Sequence, residues 1–277
     1  MGRPIARRLA AAGILSVVWN RTPRADHTNL GVPIATSPRD AGADVVLAIL
    51  PDVPHLREVL DAGLSEALSA RRGILAVMST SSPLEVVRLG EELEALGVRV
   101  VDAPMSGGDS GARDGTLSLM VGGTSDDVDE LRPVFDTIAT SIEHFGALGS
   151  GSLAKLCNQL VVASTLTATA EALALGSRSG LDERQLARAL SGGLADSAVL
   201  RTKGAKLIDR DYSLGGSLAN QVKDLTYALE WAEAVGLELP LATSALRLFA
   251  HATEMGLGER DHTSIREVID RRGGRSD

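Results

Sequence analysis

Over roughly the first 146 residues, short β-rich apolar runs alternate with amphipathic helical patterns. This rhythm constrains the fold more than any other feature of the chain. The runs are Leu15–Trp19, Asp44–Leu50, Ile74–Met78, Val98–Asp102, Leu117–Val121 and Ser141–Phe145. Between several of them lie Pro54–Leu68, Pro83–Leu96 and Asp126–Ile138, each patterned as a helix. Alternation at this spacing predicts a parallel, doubly wound α/β sheet. The near-continuous stretch Val45-Val46-Leu47-Ala48-Ile49-Leu50 is what a strand buried on both faces requires. Beyond the glycine-rich segment 146–151 no further strand is predicted. Ser152 to about Ser177 reads as one long helix, followed by helices near 182–191, 196–208, 217–235, 241–256 and 264–270. The reading is an α/β domain at 1–148 and an all-α domain at 149–277, with Arg271–Asp277 as a disordered tail.

Composition narrows the partners. The chain of 277 residues is 44% hydrophobic and 23% charged, an ordinary soluble balance. With two Trp, two Tyr and three Phe, its core must be built from Leu, Val, Ile and Ala. A net charge of −8 with no basic stripe argues against nucleic acid and anionic membrane. Cys157 is the only cysteine, so an internal disulfide or a cysteine-based zinc site is excluded; no metal is expected. That usage fits a reducing cytoplasm, and no signal peptide is visible. Leu156–Ala170 is uncharged but only 15 residues long and carries Asn158 and Gln159. A membrane span needs about 20 apolar residues, so this stretch reads as a buried helix.

The opening MGRPIARRLAAAGILSVVWNRTP reads as helix, then strand. Ile5, Leu9 and Ala12 share a face, Arg7 and Arg8 lie off it, and Gly13 stops the helix. A Rossmann-like dinucleotide fold runs strand, G-x-G-x-x-G, helix; only its last glycine matches here, as Gly2. The next strand ends in Asn20-Arg21-Thr22, where such folds read the adenosine ribose. A cation and a hydroxyl in place of an acid favour a 2′-phosphate, hence NADP(H), with NAD(H) possible. The same residues also suit an ordinary polar turn.

Three further stretches suggest chemistry. In DAPMSGGDSGARDGTLSLMVGG, residues 102–123, the hydroxyl of Ser106 and the bare backbone of Gly107 and Gly108 suit a carboxylate. The alternative is a flexible surface loop. In GSGSLAKLCNQL, Lys155 stands one turn into the long helix, with Asn158 and Gln159 on the same face. Desolvation favours the neutral amine, which suits proton transfer; the alternative is a lysine snorkelling at a helix end. In QVKDLTYALEWAEAVGLELPL, Lys223 and Asp224 are adjacent on a helix and point to different faces. Lys223 could therefore reach into a cleft while Asp224 braces, or both could be surface charge.

Together these stretches resemble the β-hydroxyacid dehydrogenase family, which includes 3-hydroxyisobutyrate dehydrogenase, tartronate semialdehyde reductase and the glyoxylate/succinic semialdehyde reductases. The resemblance runs from MGRPIARRL to about Ile269. DAPMSGG…GTLSLMVGG is similar to the family's substrate signature, GSGSLAKLCNQ to its catalytic-lysine helix, and VKDLTYALEWAEAVGLELPL to its last signature. It implies that Ser106, Gly107 and Gly108 bind a substrate carboxylate and that Lys155 is the general acid/base, assisted by Asn158 or Gln159. Lys223 would approach cofactor and substrate. Gly2, Asn20, Arg21 and Thr22 would hold the dinucleotide, and Leu50, Pro51 and Thr80 would line its nicotinamide and ribose. His55 would lie nearby as a polar cofactor contact. Gly193, Ser197 and Asn220 fall near the remainder of the substrate. The expected partners are a small carboxylate substrate and a second copy of the chain, as homodimer or tetramer.

Two departures stand out. Gln159 occupies a position where the family often has Asn, and the apolar strand and G-x-G that normally precede Met-Gly are not in the sequence. A start assigned too late is the expected cause; a weakened or inactive product is the other. The rival readings are an imine reductase, whose relatives generally lack the lysine, and a non-catalytic binding or scaffold protein.

Overall fold

The computed structural model describes residues 1–22 and 30–272. The chain forms two compact units, Met1–Lys155 and Leu156–Asp277.

The first unit opens with α1 (Gly2–Ala11), which buries Ile5 and Leu9. It stops where the sequence says it must. Gly13 sits at φ +74, its N–H donates to Ala10 O, and the Ile14 N–H donates to Leu9 O. A left-handed glycine thus lets two terminal carbonyls be satisfied. Strands β1 (Val45–Ala48), β2 (Ile74–Val77) and β3 (Arg99–Asp102) form a parallel sheet with β2 in the centre. Side chains alternate between two cores. Ile74, Ala76 and Met78 pack with Ile5, Leu9 and Phe135, while Leu75 and Val77 pack with Leu56, Leu68, Val86 and Leu89. All four β2 residues are buried, which is why this segment is apolar throughout instead of alternating.

Helix α2 (Val53–Val59) and helix α3 (Ser65–Arg71) replace the single helix expected at 54–68. Gly63, at φ +106, breaks the pattern between them. Helix α4 (Pro83–Glu94) follows β2. After β3, β4 (Met105–Ser106), β5 (Leu117–Val121) and β6 (Ala139–His144) form a second sheet in the order β4-β5-β6. Helix α5 (Gly108–Asp114) connects β4 and β5. Helix α6 (Ser125–Phe135) connects β5 and β6, capped by Thr124 Oγ1 accepting the Asp127 N–H.

Two expectations need correction, and one alternative falls. The strands are not all parallel: β4 runs antiparallel to β5, and an antiparallel bridge joins Asp102 to Gly122. Leu15–Trp19 is not a ladder strand; Val18 makes an isolated bridge to Ile34. Among the described residues β1 pairs with β2 alone. The alternative reading of 102–123 as a flexible surface loop does not hold, because the segment folds into β4, α5 and β5, with Ala112 and Leu117 fully buried.

The second unit is helical among its described residues. Helix α7 (Ser150–Arg178) enters it from the first unit; α8 (Glu183–Ser191), α9 (Ala198–Asp209), α10 (Leu218–Ala234), α11 (Pro240–Ala252) and α12 (Ile265–Arg272) complete it. Arg271 and Arg272 thus close a helix instead of starting a tail; 273–277 lie outside the described residues. Helix α7 is long and apolar enough to cross a membrane by length and composition alone. Its Ala163, Leu166, Ala170 and Leu173, however, form a buried stripe against Leu225, Phe249 and Ile265, as in a core helix. Two ionic clusters hold the ends of shorter elements. The buried Asp261 carboxylate accepts Lys203 Nζ and the N–H groups of Gly215, Gly216 and Thr263. The fully buried Arg266 pairs with Glu183 at 2.9 Å and with Asp270 at 2.9 Å.

Candidate active site

In the first unit, β3 ends at Asp102, whose side chain is fully buried. Its carboxylate accepts the Gly149 N–H at 2.8 Å and the Ser152 N–H at 2.5 Å. These are donors at the start of α7 that the helix itself leaves unpaired. The acid is therefore a cap supplied from a strand 47 and 50 residues away in sequence. Burial pushes the Asp102 carboxyl up, and the two N–H bonds pull it part of the way back. The junction is tight: a Cβ at Gly122 would strike Asp102 Oδ1, and one at Gly151 would strike the Met120 carbonyl. Lys155 follows in the second turn of the helix so anchored, and it is buried.

The same strand leads through Ala103 and Pro104 into β4. Ser106 is half-buried at its end. Gly107 (φ +124) and Gly108 (φ +63) follow, both in the left-handed region that favours glycine. A Cβ at Gly107 would crowd Leu117, whereas one at Gly108 would meet nothing within 4 Å. The backbone at Gly108 is thus open to approach. Ser110 Oγ donates to Gly107 O at 3.4 Å, tying the turn to α5.

The residues expected at the cofactor are spread along the N-terminal half of the unit. Gly2 begins α1, which has no acid in its first turn and no side-chain cap. A first turn that carries no acid of its own, with its N–H groups not capped by a side chain at Met1, fits a diphosphate. Asn20 Nδ2 donates to Thr22 O at 2.7 Å, shaping the turn that holds Arg21. Arg21 is 73% exposed, with Glu58 3.5 Å away. Leu50 and Pro51 follow β1. Ser79, which the sequence reading missed, locks this corner: its Oγ donates to Leu50 O at 2.7 Å and accepts the Leu50 N–H at 3.3 Å. Thr80 is next to it. His55 Nδ1 is buried and finds no hydrogen-bond partner among the described residues, a polar atom that suits a ligand.

The second unit holds the other candidates. Asn158 and Gln159 continue α7, three and four residues past Lys155. Gln159 Nε2 donates to Asp224 Oδ2 at 2.6 Å, and Lys223 Nζ donates to Asp224 Oδ1 at 2.9 Å. The expectation that Lys223 and Asp224 diverge is therefore corrected. The flexible lysine stem folds back to its neighbour and also over Tyr227, 5.2 Å from the ring centroid. Asp224, 5% exposed, fixes both groups. Ser197 is occupied as the cap of α9, its Oγ accepting the Leu200 N–H, and Asn220 donates its N–H to the cap Ser217. Gly193 has open space on its Cα.

Comparison with known proteins decides the family. The NAD binding domain of 6-phosphogluconate dehydrogenase matches residues 1–146. The NAD-binding domain of NADP-dependent 3-hydroxyisobutyrate dehydrogenase matches residues 149–269. The chain belongs to the β-hydroxyacid dehydrogenase family.

Among its relatives, this dehydrogenase is 34% identical to the 2-hydroxy-3-oxopropionate reductase of Escherichia coli over 98% of the chain and 94% of that protein. It is 34% identical to the NAD-dependent L-serine dehydrogenase of Pseudomonas aeruginosa, over 98% and 95%. The crystal structure of 3-hydroxyisobutyrate dehydrogenase from Salmonella typhimurium superposes with a TM-score of 0.89 at 26% identity, covering 96% of this chain and 95% of that one. The dehydrogenase is thus an oxidoreductase that uses a nicotinamide dinucleotide, built from a Rossmann-like α/β domain and a helical domain.

Proposed function

We propose that the enzyme interconverts a small β-hydroxyacid and its semialdehyde, prefers NADP(H), and uses Lys155 as general acid/base. The observation that carries the reading is the Asp102 anchor. It ties the start of the helix bearing Lys155 to the strand that leads into Ser106, Gly107 and Gly108. A proton-transfer group and a carboxylate-binding turn then share one rigid junction, as a reaction on a small hydroxyacid needs.

Ser106 Oγ and the backbone of Gly107 and Gly108 would hold the substrate carboxylate. In the oxidising direction Lys155 Nζ takes the hydroxyl proton as the carbon loses its hydrogen and C–O becomes C=O. In the reverse direction it protonates the forming alkoxide. The bound nicotinamide accepts or supplies the hydride. Gln159, Asn158 and Lys223 would assist at the substrate, with Asp224 setting the orientation of two of them. Gly2 would take the dinucleotide diphosphate, Leu50, Pro51, His55 and Thr80 the nicotinamide side, and Asn20, Arg21 and Thr22 the adenosine ribose.

The NADP(H) preference rests on the exposed Arg21: its ion pair with Glu58 at 3.5 Å is solvent-screened and weak, so the guanidinium can exchange that partner for a 2′-phosphate. Fluorescence titration with NADPH and NADH tests it. We expect tighter NADPH binding, and Arg21→Ala should erase the difference by weakening NADPH about tenfold while sparing NADH. Equal affinities in the parent chain would refute the preference. The enzyme is also proposed to be cytoplasmic and a homodimer or tetramer. Val161 and Leu175 of α7 are 66% and 71% exposed, on the side away from the helix's buried stripe. A monomer at micromolar concentration in sedimentation would contradict the oligomer.

A further inference from the structure

Beside α1 lies a cavity of about 600 Å³, within the range of small-molecule sites. Its lining includes Arg3, Arg7, Arg8, Arg113, Asp109 and Thr137. Among the described lining residues, four carry a guanidinium group and one a carboxylate, on a chain whose net charge is −8. We propose that this cleft binds a compact, multiply charged oxyanion, such as a phosphorylated or polycarboxylate metabolite, at a site separate from the cofactor.

The cleft has an ordered base. Arg8 Nε donates to Thr137 O at 2.8 Å, and Arg8 Nη1 donates to Arg113 O at 3.3 Å. The guanidinium lies over Gly115, where any Cβ would collide with it. Among the described residues Arg8 is thus held by carbonyls and has no carboxylate partner. Its charge is positioned but not neutralised. Arg113 pairs with Asp109, and this pair is half exposed, so it can rearrange toward a ligand. Arg7 is exposed on the same side of α1.

The arrangement works against the local helix. Arg3 and Arg7 stand at i and i+4 with like charge, and Arg3 sits in the first turn, where the helix dipole disfavours a cation. A bound anion would screen the repulsion between Arg3 and Arg7. Guanidinium forks match phosphate and carboxylate oxygens in bidentate geometry, which favours these anions over a simple halide. Gly2, the expected diphosphate position, does not line the cavity, which runs along the side of α1 from its first turn. Ala11 and Ala12 line it too, at the opposite end of the helix and about 13 Å along the axis from Arg3.

The test is calorimetric titration of the full chain with inorganic diphosphate, and in a second arm with citrate, each with and without saturating NADPH. We expect one equivalent of saturable binding that persists with NADPH, weakens with salt and falls at least tenfold in Arg7→Ala/Arg113→Ala. Arg21→Ala should leave it unchanged. The tighter of the two arms assigns phosphate or carboxylate as the source. Absence of saturable binding at millimolar anion in both arms would overturn the proposal. So would binding lost with NADPH or with Arg21→Ala, or binding that the Arg7/Arg113 variant retains. Because the decisive component is the one sensitive to Arg7 and Arg113, failure of the cofactor reading would not mimic failure here.

Discussion

Replacing Asp102 with asparagine keeps the shape of the side chain and removes its charge. The wild-type carboxylate accepts two backbone N–H groups at the start of α7, at 2.8 and 2.5 Å, in a fully buried site. An amide has one acceptor oxygen, so one bond survives and the other N–H faces an NH2 donor. A charge-assisted bond contributes about 1.5–3 kcal/mol, and a stranded buried donor adds a cost of similar size. Against this, the variant no longer buries a charge, a burden evident in the upward push on the Asp102 carboxyl. The balance is a loss of roughly 2 kcal/mol, or a fall in Tm of about 4–8 °C for a domain of this size. If that loss must be recovered to seat Lys155 in the transition state, kcat drops about 30-fold while NADPH affinity holds. Thermal unfolding and single-turnover hydride transfer read the two effects. The folded-state pKa lies above the unfolded value. The wild-type group therefore loses stabilisation as pH rises through the window between them, and the Asp102→Asn substitution abolishes that slope. An Asp102→Asn enzyme with unchanged Tm and kcat within twofold would refute the anchoring argument.

Two further outcomes follow from the helical unit. Burial and then the Lys203 charge hold His262 down to about 4, against the pull of Asp261. Below an unfolded value of about 6.5 the unfolded chain takes up the proton first, so stability falls as pH falls, by roughly 2 kcal/mol at pH 5. His262→Gln should flatten this loss in urea titrations between pH 7.5 and 5; an equal loss in both proteins contradicts it. Glu183→Ala strips the bidentate partner from fully buried Arg266 and should cost about 3–5 kcal/mol, with Arg266→Met in the same chain recovering most of it. A single-variant cost under about 1 kcal/mol, measured by thermal unfolding, would show the pair to be dispensable.

Much of the fold is legible in the sequence where local pattern and burial agree. Gly13 ends α1 as expected, β5 spans Leu117–Val121 as expected, and the 29-residue α7 contains the single long helix read at Ser152–Ser177. What escapes is tertiary. Helix α5 has seven residues, two of them glycine, and too little apolar period to register; it forms because Gly111 and Ala112 are buried by the fold. The Leu15–Trp19 run has strand composition, but ladder formation depends on a neighbouring strand, and among the described residues Val18 has only its bridge to Ile34. In the candidate site, Ser106, Gly107, Gly108 and Lys155 stand out from residue chemistry. Asp102 does not, since its role exists only through contacts 47 and 50 residues away. The Lys223–Asp224 pair escapes the helical wheel because wheel directions describe where a side chain leaves the backbone, not where a four-carbon stem can end.

The proposed mechanism stands most directly on Lys155 as the group that moves the proton. The measurement is the single-turnover rate of NADPH oxidation with a small semialdehyde substrate, in the wild type and in Lys155→Ala, with NADPH binding followed in parallel. Proton transfer by Lys155 predicts a fall of roughly 10²–10⁴-fold in rate with NADPH affinity preserved. A Lys155→Ala enzyme that binds NADPH normally and reduces the substrate within a few-fold of the wild-type rate would contradict it.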